Sequence, residues 1–348
     1  MLAALAERAD SNMVRMEVVT LDRPGPVARR LAESGISVRC LGGRGLVVAF
    51  IRLARVLCGG RYDVVAAYGL KATAVSRLLT RCLAPSAAFI CGIRGLHSTE
   101  LEDPTGPKSK FLLRLERLGS PLVALYDANS AGALDLLESA GISRDKLHYI
   151  PNGIDSSQWS FGTRSSERTP VVLCVARFVP RKRHLDLIEA ARVLIDDGVD
   201  LRLVLAGGGP MMPDIRRASA ELDERVELVG EVTGKELRTL YSGADLFCLC
   251  SLWEGMAGSV MEAMAASLPV VGTRVNGITD LIVEYETGLL VEPQAPRDLA
   301  RALKVLIVDP GQRKAYGRAG NGRIRAHFSL DQMVSSKELL YRRASGMT

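Results

Sequence analysis

Residues 246–273 read LFCLCSLWEGMAGSVMEAMAASLPVVGT, and this stretch decides the fold class. It opens on a short apolar run, 246–250, bounded by polar residues, which reads as a buried strand. A glycine-bearing loop follows, then small and apolar residues at helical spacing, then Pro269 and a second β-branched run at 269–273. A strand, a helix and a strand so spaced form a βαβ unit, whose strands are parallel and covered on both faces.

The alternation continues outward in both directions. Strands are read at 171–176, 201–207 and 226–230, and in the first half at 16–21, 38–41, 64–68, 87–90 and 122–125. Helical patterns near 26–34, 46–57, 71–83, 109–118 and 130–140 fall between the latter. The polar, serine-rich stretch 151–170 separates the two series. The expected class is therefore α/β: two Rossmann-like, doubly wound domains over 1–160 and 161–329. An amphipathic helix in 330–348 is expected to cross back to the first domain. The chain opens on a helical pattern, LAALAER at 2–8, with no strand before it. The first domain is thus expected to be truncated, without the strand and glycine-rich turn that usually open such a domain.

Composition limits the function classes. In 348 residues, 47% hydrophobic and 24% charged content supports two buried cores and excludes overall disorder. No apolar run approaches the roughly 18 residues of a spanning helix; the longest, 46–57, is broken by Arg52 and Arg55. The start is too short and too soon acidic for a secretory signal, so a cytoplasmic location is expected. Seven cysteines without a CxxC pair read as reduced core thiols, and the four histidines lack metal-ligand spacing. No metal is expected.

The net charge of +6 lies wholly in residues 1–165, which hold 21 Lys+Arg against 15 Asp+Glu. A basic half suits an anionic partner. Nucleic acid is disfavoured, because aromatics are only 5% and show no stacking pattern among the basic residues. An anionic membrane surface remains, with peripheral docking on the inner face as the expectation. Arg52 and Arg55 beside Phe50, Leu53 and Leu57 sketch an amphipathic helix. Lys108, Lys110, Arg114 and Arg117 form a second basic strip. A domain helix with its apolar side in the core would show the same pattern.

Three motifs carry chemistry. Arg177-Phe-Val-Pro-Arg-Lys182 follows the strand 171–176, where open α/β sheets bind ligands, and its cations suit a diphosphate. A solvated basic loop would read alike. AGGGP at 206–210 lets backbone approach a phosphate or sugar through Gly207 and Gly208; a plain tight turn is the alternative. Glu254 and Glu262 flank a helix start whose N–H groups at Gly258, Ser259 and Val260 form an anion site. Ionised carboxylates only accept hydrogen bonds, so this pair suits hydroxyl recognition.

Taken in order, these residues resemble family 4 glycosyltransferases of the GT-B fold, in which two Rossmann-like domains face each other across a cleft. The resemblance is carried by PNGID at 151–155, Arg177-x(4)-Lys182, AGGGP, Glu254-x(7)-Glu262, AASLPVVGTRVNG at 265–277 and TGLLVEP at 287–293. YDVVAAYGLKA at 62–72, Arg94-Gly95 and ANS at 128–130 add to it. EGMAGS resembles the EGxPN variant of the carboxylate motif, with Ala257 in place of proline. The family's opening strand and glycine-rich loop have no counterpart.

The resemblance implies a retaining, metal-independent hexosyltransferase using a nucleotide-diphosphate sugar, with a UDP-sugar favoured. Its acceptor is implied to be a glycan or lipid-linked hydroxyl, in cell-surface polysaccharide or glycolipid synthesis. Arg177 and Lys182 match the diphosphate-binding cations, and Glu254 the contact to the transferred sugar. Glu262 matches the ribose ligand, and Glu231-Val232 the nucleobase segment. Gly255, Gly258, Ser259 and Val260 match the amides at sugar and phosphates. Arg94 and His97 are candidates on the acceptor side, although His97 reads equally as an ordinary loop histidine. A nucleotide-sugar epimerase of this fold and a non-catalytic nucleotide-sugar binder are the alternatives.

Overall fold

The computed structural model describes residues 2–42, 45–94, 106–159 and 168–347. They divide into two compact units: Met1–Gly153 with Leu330–Thr348, and Ile154–Ser329. The first division falls inside the polar stretch, just after PNG.

The first unit runs α1 (Leu2–Arg8), β1 (Glu17–Thr20), α2 (Pro26–Glu33), β2 (Ser37–Cys40), α3 (Leu46–Gly59), β3 (Val64–Tyr68), α4 (Leu70–Leu83), β4 (Ala88–Ile93), α5 (Pro107–Gly119), β5 (Leu125–Ala128), α6 (Ala131–Ser139) and β6 (Leu147–Tyr149). All its ladders are parallel, but they form two sheets, β1-β2 and β3-β4-β5-β6. Tyr62, two residues before β3, donates to Glu17 of β1 at 2.6 Å. No strand pairing links β1 to β3 among the described residues, and the two strands are mostly half-buried while β4 is largely buried. Apolar side chains from β3 nevertheless share two clusters with β1 and the residue before it, Met16 with Val64 in one and Val19 with Val65 in the other.

Two strand assignments need correction. The fifth strand lies at Leu125–Ala128, not 122–125, because Ser120–Leu122 forms a tight 3-10 turn around Pro121, which has no N–H to give a ladder. Leu147–Tyr149 is a strand that three residues of mixed polarity do not announce.

The second unit runs β7 (Val171–Val175), α7 (His184–Asp196), β8 (Arg202–Ala206), α8 (Met212–Ala220), β9 (Val226–Gly230), α9 (Gly234–Gly243), β10 (Leu246–Leu249), α10 (Gly258–Ala265), β11 (Val270–Thr273), β12 (Gly288–Val291), α11 (Pro296–Val308) and α12 (Pro310–His327). Its six strands are parallel in the order β12-β11-β10-β7-β8-β9. The order reverses between β7 and β10, the crevice where doubly wound sheets bind ligands. β7, β8 and β10 are almost wholly buried, as covering on both faces requires.

The last helix, α13 (Leu330–Ser345), belongs to the first unit. Leu330, Met333, Val334, Leu340 and Tyr341 pack with Leu5, Ile90 and Ile150 in one buried cluster. No helix among the described residues is long and apolar enough to cross a membrane.

Candidate active site

The loops that leave β7, β8 and β10 at the switch point hold most of the sequence-derived candidates. After β7 the chain exposes Arg177, buries Phe178 and makes a 3-10 turn at Pro180–Lys182. The Arg177 guanidinium has no ion pair or side-chain hydrogen bond among the described residues. Lys182 is buried, and its ammonium is bound to the Glu254 carboxylate of the loop after β10. Ser251 donates to the same carboxylate at 2.6 Å, and Arg181 reaches it at 3.6 Å. Arg181 also lies over the Trp253 ring, 4.4 Å from its centroid. The two residues that the resemblance matches to a diphosphate cation and to a sugar-binding carboxylate thus form one ion pair here. The pair ties the loops of adjacent strands together.

The glycines after β8 have a packing reason. A Cβ on Gly207 would stand 1.9 Å from the Ala176 carbonyl oxygen, and one on Gly209 2.5 Å from that of Phe178. Both also have φ of +148°, which side chains avoid. The loops cross in backbone contact: Phe178 N–H donates to the Gly208 carbonyl at 2.8 Å, and Gly207 N–H to that of Gly230 at 2.7 Å. The Gly207 amide is therefore engaged within the fold. Gly208 sits against exposed Glu231, and Val232 beyond it is half-buried.

At α10 the helix start is only partly free. Val260 N–H turns back to the Ala257 carbonyl at 3.1 Å. The N–H groups of Gly258 and Ser259 have no backbone partner among the described residues. A Cβ on Gly258 would meet nothing within 4 Å, so packing does not require glycine there. Gly255 is held against Gly277, whose Cβ would come 2.5 Å from its carbonyl oxygen.

Glu262 accepts a hydrogen bond from Tyr241 of α9 at 2.8 Å. Burial pushes its carboxyl pKa up, and the tyrosine hydroxyl opposes that shift. Tyr241 is fully buried, with the Trp159 ring edge-on at 5.2 Å and the Phe247 ring stacked at 5.7 Å. Its position is therefore fixed, and so is the carboxylate it holds. Sequence reading missed Tyr241, Ser251 and Arg181; the only signal for Arg181 was its place inside the basic loop.

His184 opens α7 directly after the lysine turn. It is buried, lies edge-on to Phe178 at 4.7 Å, and neither ring nitrogen has a hydrogen-bond partner among the described residues. Burial, with Lys182 adding to it, lowers its pKa to about 4, so the ring is neutral.

In the first unit Arg94 is enclosed rather than open. It donates to the carbonyls of Ile93 and Asp127, each at 3.0 Å, and to the Asp127 carboxylate at 2.5 Å. Lys337 of α13 binds the same carboxylate, and both side chains are fully buried. Tyr68 donates to Asp127 at 2.9 Å and meets the Tyr341 hydroxyl at 2.9 Å. Burial would raise the Asp127 pKa, but Lys337 and Arg94 outweigh it and hold the carboxyl below its usual range. His97 lies outside the described residues. No group of three or more His, Cys, Asp or Glu is placed to hold a metal among those described.

Two family models match almost end to end: "Glycosyl transferase 4-like domain" over residues 1–153 and "Glycosyl transferases group 1" over 155–323. The chain belongs to the family 4 type of GT-B glycosyltransferases. Among solved structures, Anabaena HepE in complex with UDP matches the chain with a TM-score of 0.82 at 18% identity, covering 98% of this chain and 95% of that one. A Rickettsia africae glycosyltransferase matches with 0.81 at 18%, covering 98% and 93%. Among curated proteins, a GDP-mannose-dependent monoacylated phosphatidylinositol monomannoside mannosyltransferase of Corynebacterium glutamicum is 28% identical over 214 residues, 56% of each chain. A D-inositol 3-phosphate glycosyltransferase of Pseudarthrobacter chlorophenolicus is 28% identical over 278 residues, 75% of this chain and 66% of that one. The chain spans between half and two thirds of the length of these curated relatives.

Proposed function

We propose that this chain transfers a hexosyl group, with retention of configuration, from a nucleotide-diphosphate sugar to a hydroxyl of a glycan or lipid-linked acceptor. The observation that carries the reading is the Lys182–Glu254 pair beside the unpaired Arg177 at the switch point. A diphosphate entering there meets one cation already free and a second whose partner can pass to the sugar hydroxyls. The Gly258 and Ser259 amides add donors at the amino end of α10, where the helix dipole favours negative charge. Glu262, steadied by Tyr241, accepts from the ribose hydroxyls.

In the proposed step the acceptor oxygen bonds to the anomeric carbon on the face from which the diphosphate leaves. The electron pair of the breaking C–O bond stays on the diphosphate, and a phosphate oxygen takes the acceptor proton. Arg177 and Lys182 stabilise the growing negative charge, so neither a protein nucleophile nor a metal enters the proposal. A UDP-hexose is the favoured donor. GDP-mannose is the second reading, because curated relatives are named as GDP-mannose-dependent.

Calorimetric titration with UDP and GDP, followed by product analysis with the labelled sugars, tests this. Arg177→Ala and Lys182→Ala should each weaken nucleoside diphosphate binding by roughly 10- to 150-fold, the loss of a charge-assisted contact of about 1.5–3 kcal/mol. Unchanged affinity in both variants would refute the diphosphate assignment.

A further inference from the structure

We propose that the outer surface of α3, α4 and α5 is a docking face for an anionic lipid bilayer. The inference is independent of the donor chemistry and rests on how charge and apolar side chains are distributed over the first unit.

The three helices form one layer. Leu53 and Leu57 of α3 pack with Val75 and Leu79 of α4, and Arg77 of α4 is ion-paired with Glu116 of α5. In sequence the layer carries nine Lys+Arg against one acid, Glu116, which Arg77 already occupies. Its excess of +8 is larger than that of the whole chain, +6. On the other side of the unit, α1, α2 and α13 carry six basic residues against four acidic. Among these six helices the basic excess therefore lies mainly with α3, α4 and α5. α6, next along the chain, carries only Asp135 and Glu138 and bounds the patch.

The same layer is unusually apolar where it meets solvent. Of the nineteen large hydrophobic side chains exposed among the described residues, nine lie on these three helices. On α5, Phe111, Leu115 and Leu118 are spaced i, i+4, i+7 along one stripe, with Phe111 60% and Leu118 77% exposed. Arg114, also exposed, flanks the stripe. On α3, Val47, Phe50 and Ile51 form a second stripe, with Val47 73% exposed. The sequence-derived stripe on this helix needs correcting: Leu53 and Leu57 are core, and Arg52 is turned to the Leu41 carbonyl. The outward apolar group is one helical step away.

Cations around protruding Phe, Leu and Ile side chains match an interface that offers phosphates outside and hydrocarbon beneath. A second copy of the same face would set the seven exposed cations of its described side chains against seven more, which disfavours a two-fold pairing through it. A nucleic acid would leave the apolar stripes in water.

Flotation with vesicles of equal parts phosphatidylglycerol and phosphatidylcholine, against pure phosphatidylcholine, tests the face. The full chain should float with the anionic vesicles at low salt. It should be largely released at 1 M salt, where the Debye length is about 3 Å. Arg114→Glu changes two charges and should weaken partitioning roughly 25-fold, at about 1 kcal/mol per charge near the surface. Phe111→Ser with Leu118→Ser should weaken it at least about tenfold. Val305→Ser with Val308→Ser, also exposed, on α11 of the second unit, should change nothing. Circular dichroism of each variant confirms that these exposed substitutions leave the fold intact. Absence of binding to anionic vesicles, or equal binding to neutral ones, overturns the proposal. So does an effect of Arg114→Glu without one from the Phe111/Leu118 variant, which would mark a site for a polyanion such as nucleic acid.

Discussion

Replacing His184 with leucine should remove about 2 kcal/mol of the acid sensitivity of the second unit between pH 7.5 and 5. The ring is buried without a hydrogen-bond partner and beside Lys182, so the folded state holds it neutral down to about pH 4. In the unfolded chain a histidine titrates near 6.5. Between these values the unfolded state binds a proton that the folded state refuses. Stability therefore falls as pH drops through 6.5, and this loss levels off below about 4. Integrating the two titrations between pH 7.5 and 5 gives about 2 kcal/mol from this one ring. The chain's two tryptophans, Trp159 and Trp253, both lie in the second unit, so urea unfolding followed by their fluorescence reports that unit alone. Wild type should lose about 2 kcal/mol more than His184→Leu on going from pH 7.5 to 5. Differences that do not depend on pH cancel in the comparison. Parallel losses in the two proteins would show that His184 is solvated or hydrogen-bonded, and the argument would fail.

Other expectations follow from the same contacts. Glu254→Gln frees Lys182, so free nucleoside diphosphate should bind as well or better while sugar transfer drops. Glu262→Gln should instead weaken the nucleotide itself, and Tyr241→Phe should do so in part; equal titration curves for the two glutamine variants would refute the division. Lys337→Met leaves the buried Asp127 with Arg94 as its one remaining cation and should destabilise the first unit by about 3 kcal/mol in calorimetric unfolding. Asp127→Asn in that background should recover much of the loss, and no recovery would mean that Lys337 acts through packing alone.

The second unit was more legible in the sequence than the first, for a physical reason. β7, β8 and β10 are buried on both faces, so they are continuous apolar runs that stand out from their loops. β1 and β3, half-buried, were also found, because valines concentrate there. β6 was missed because three residues with one histidine carry no period, and β12 was quoted only as part of a motif. In the site, charges in strand-end loops announced themselves, but their partners did not. Tyr241 is a lone aromatic in an ordinary amphipathic helix, 21 residues before Glu262. Lys337 is separated from Asp127 by 210 residues, and a lysine on an amphipathic helix reads as a solvated face. Long-range polar pairs leave no periodic trace, whereas burial does.

The first unit closes with α13, which the ribosome makes after the whole second unit. At about 5–20 residues per second, the intervening chain takes roughly 10–35 s to emerge. Throughout that interval the nascent first unit has Asp127 without its lysine and the Leu5–Ile90–Ile150 cluster without its lid. The second unit, continuous in sequence, is complete before its neighbour. The two units are thus completed in the reverse of the order in which their synthesis begins, and the half begun first waits longest, with an apolar surface uncovered until α13 arrives.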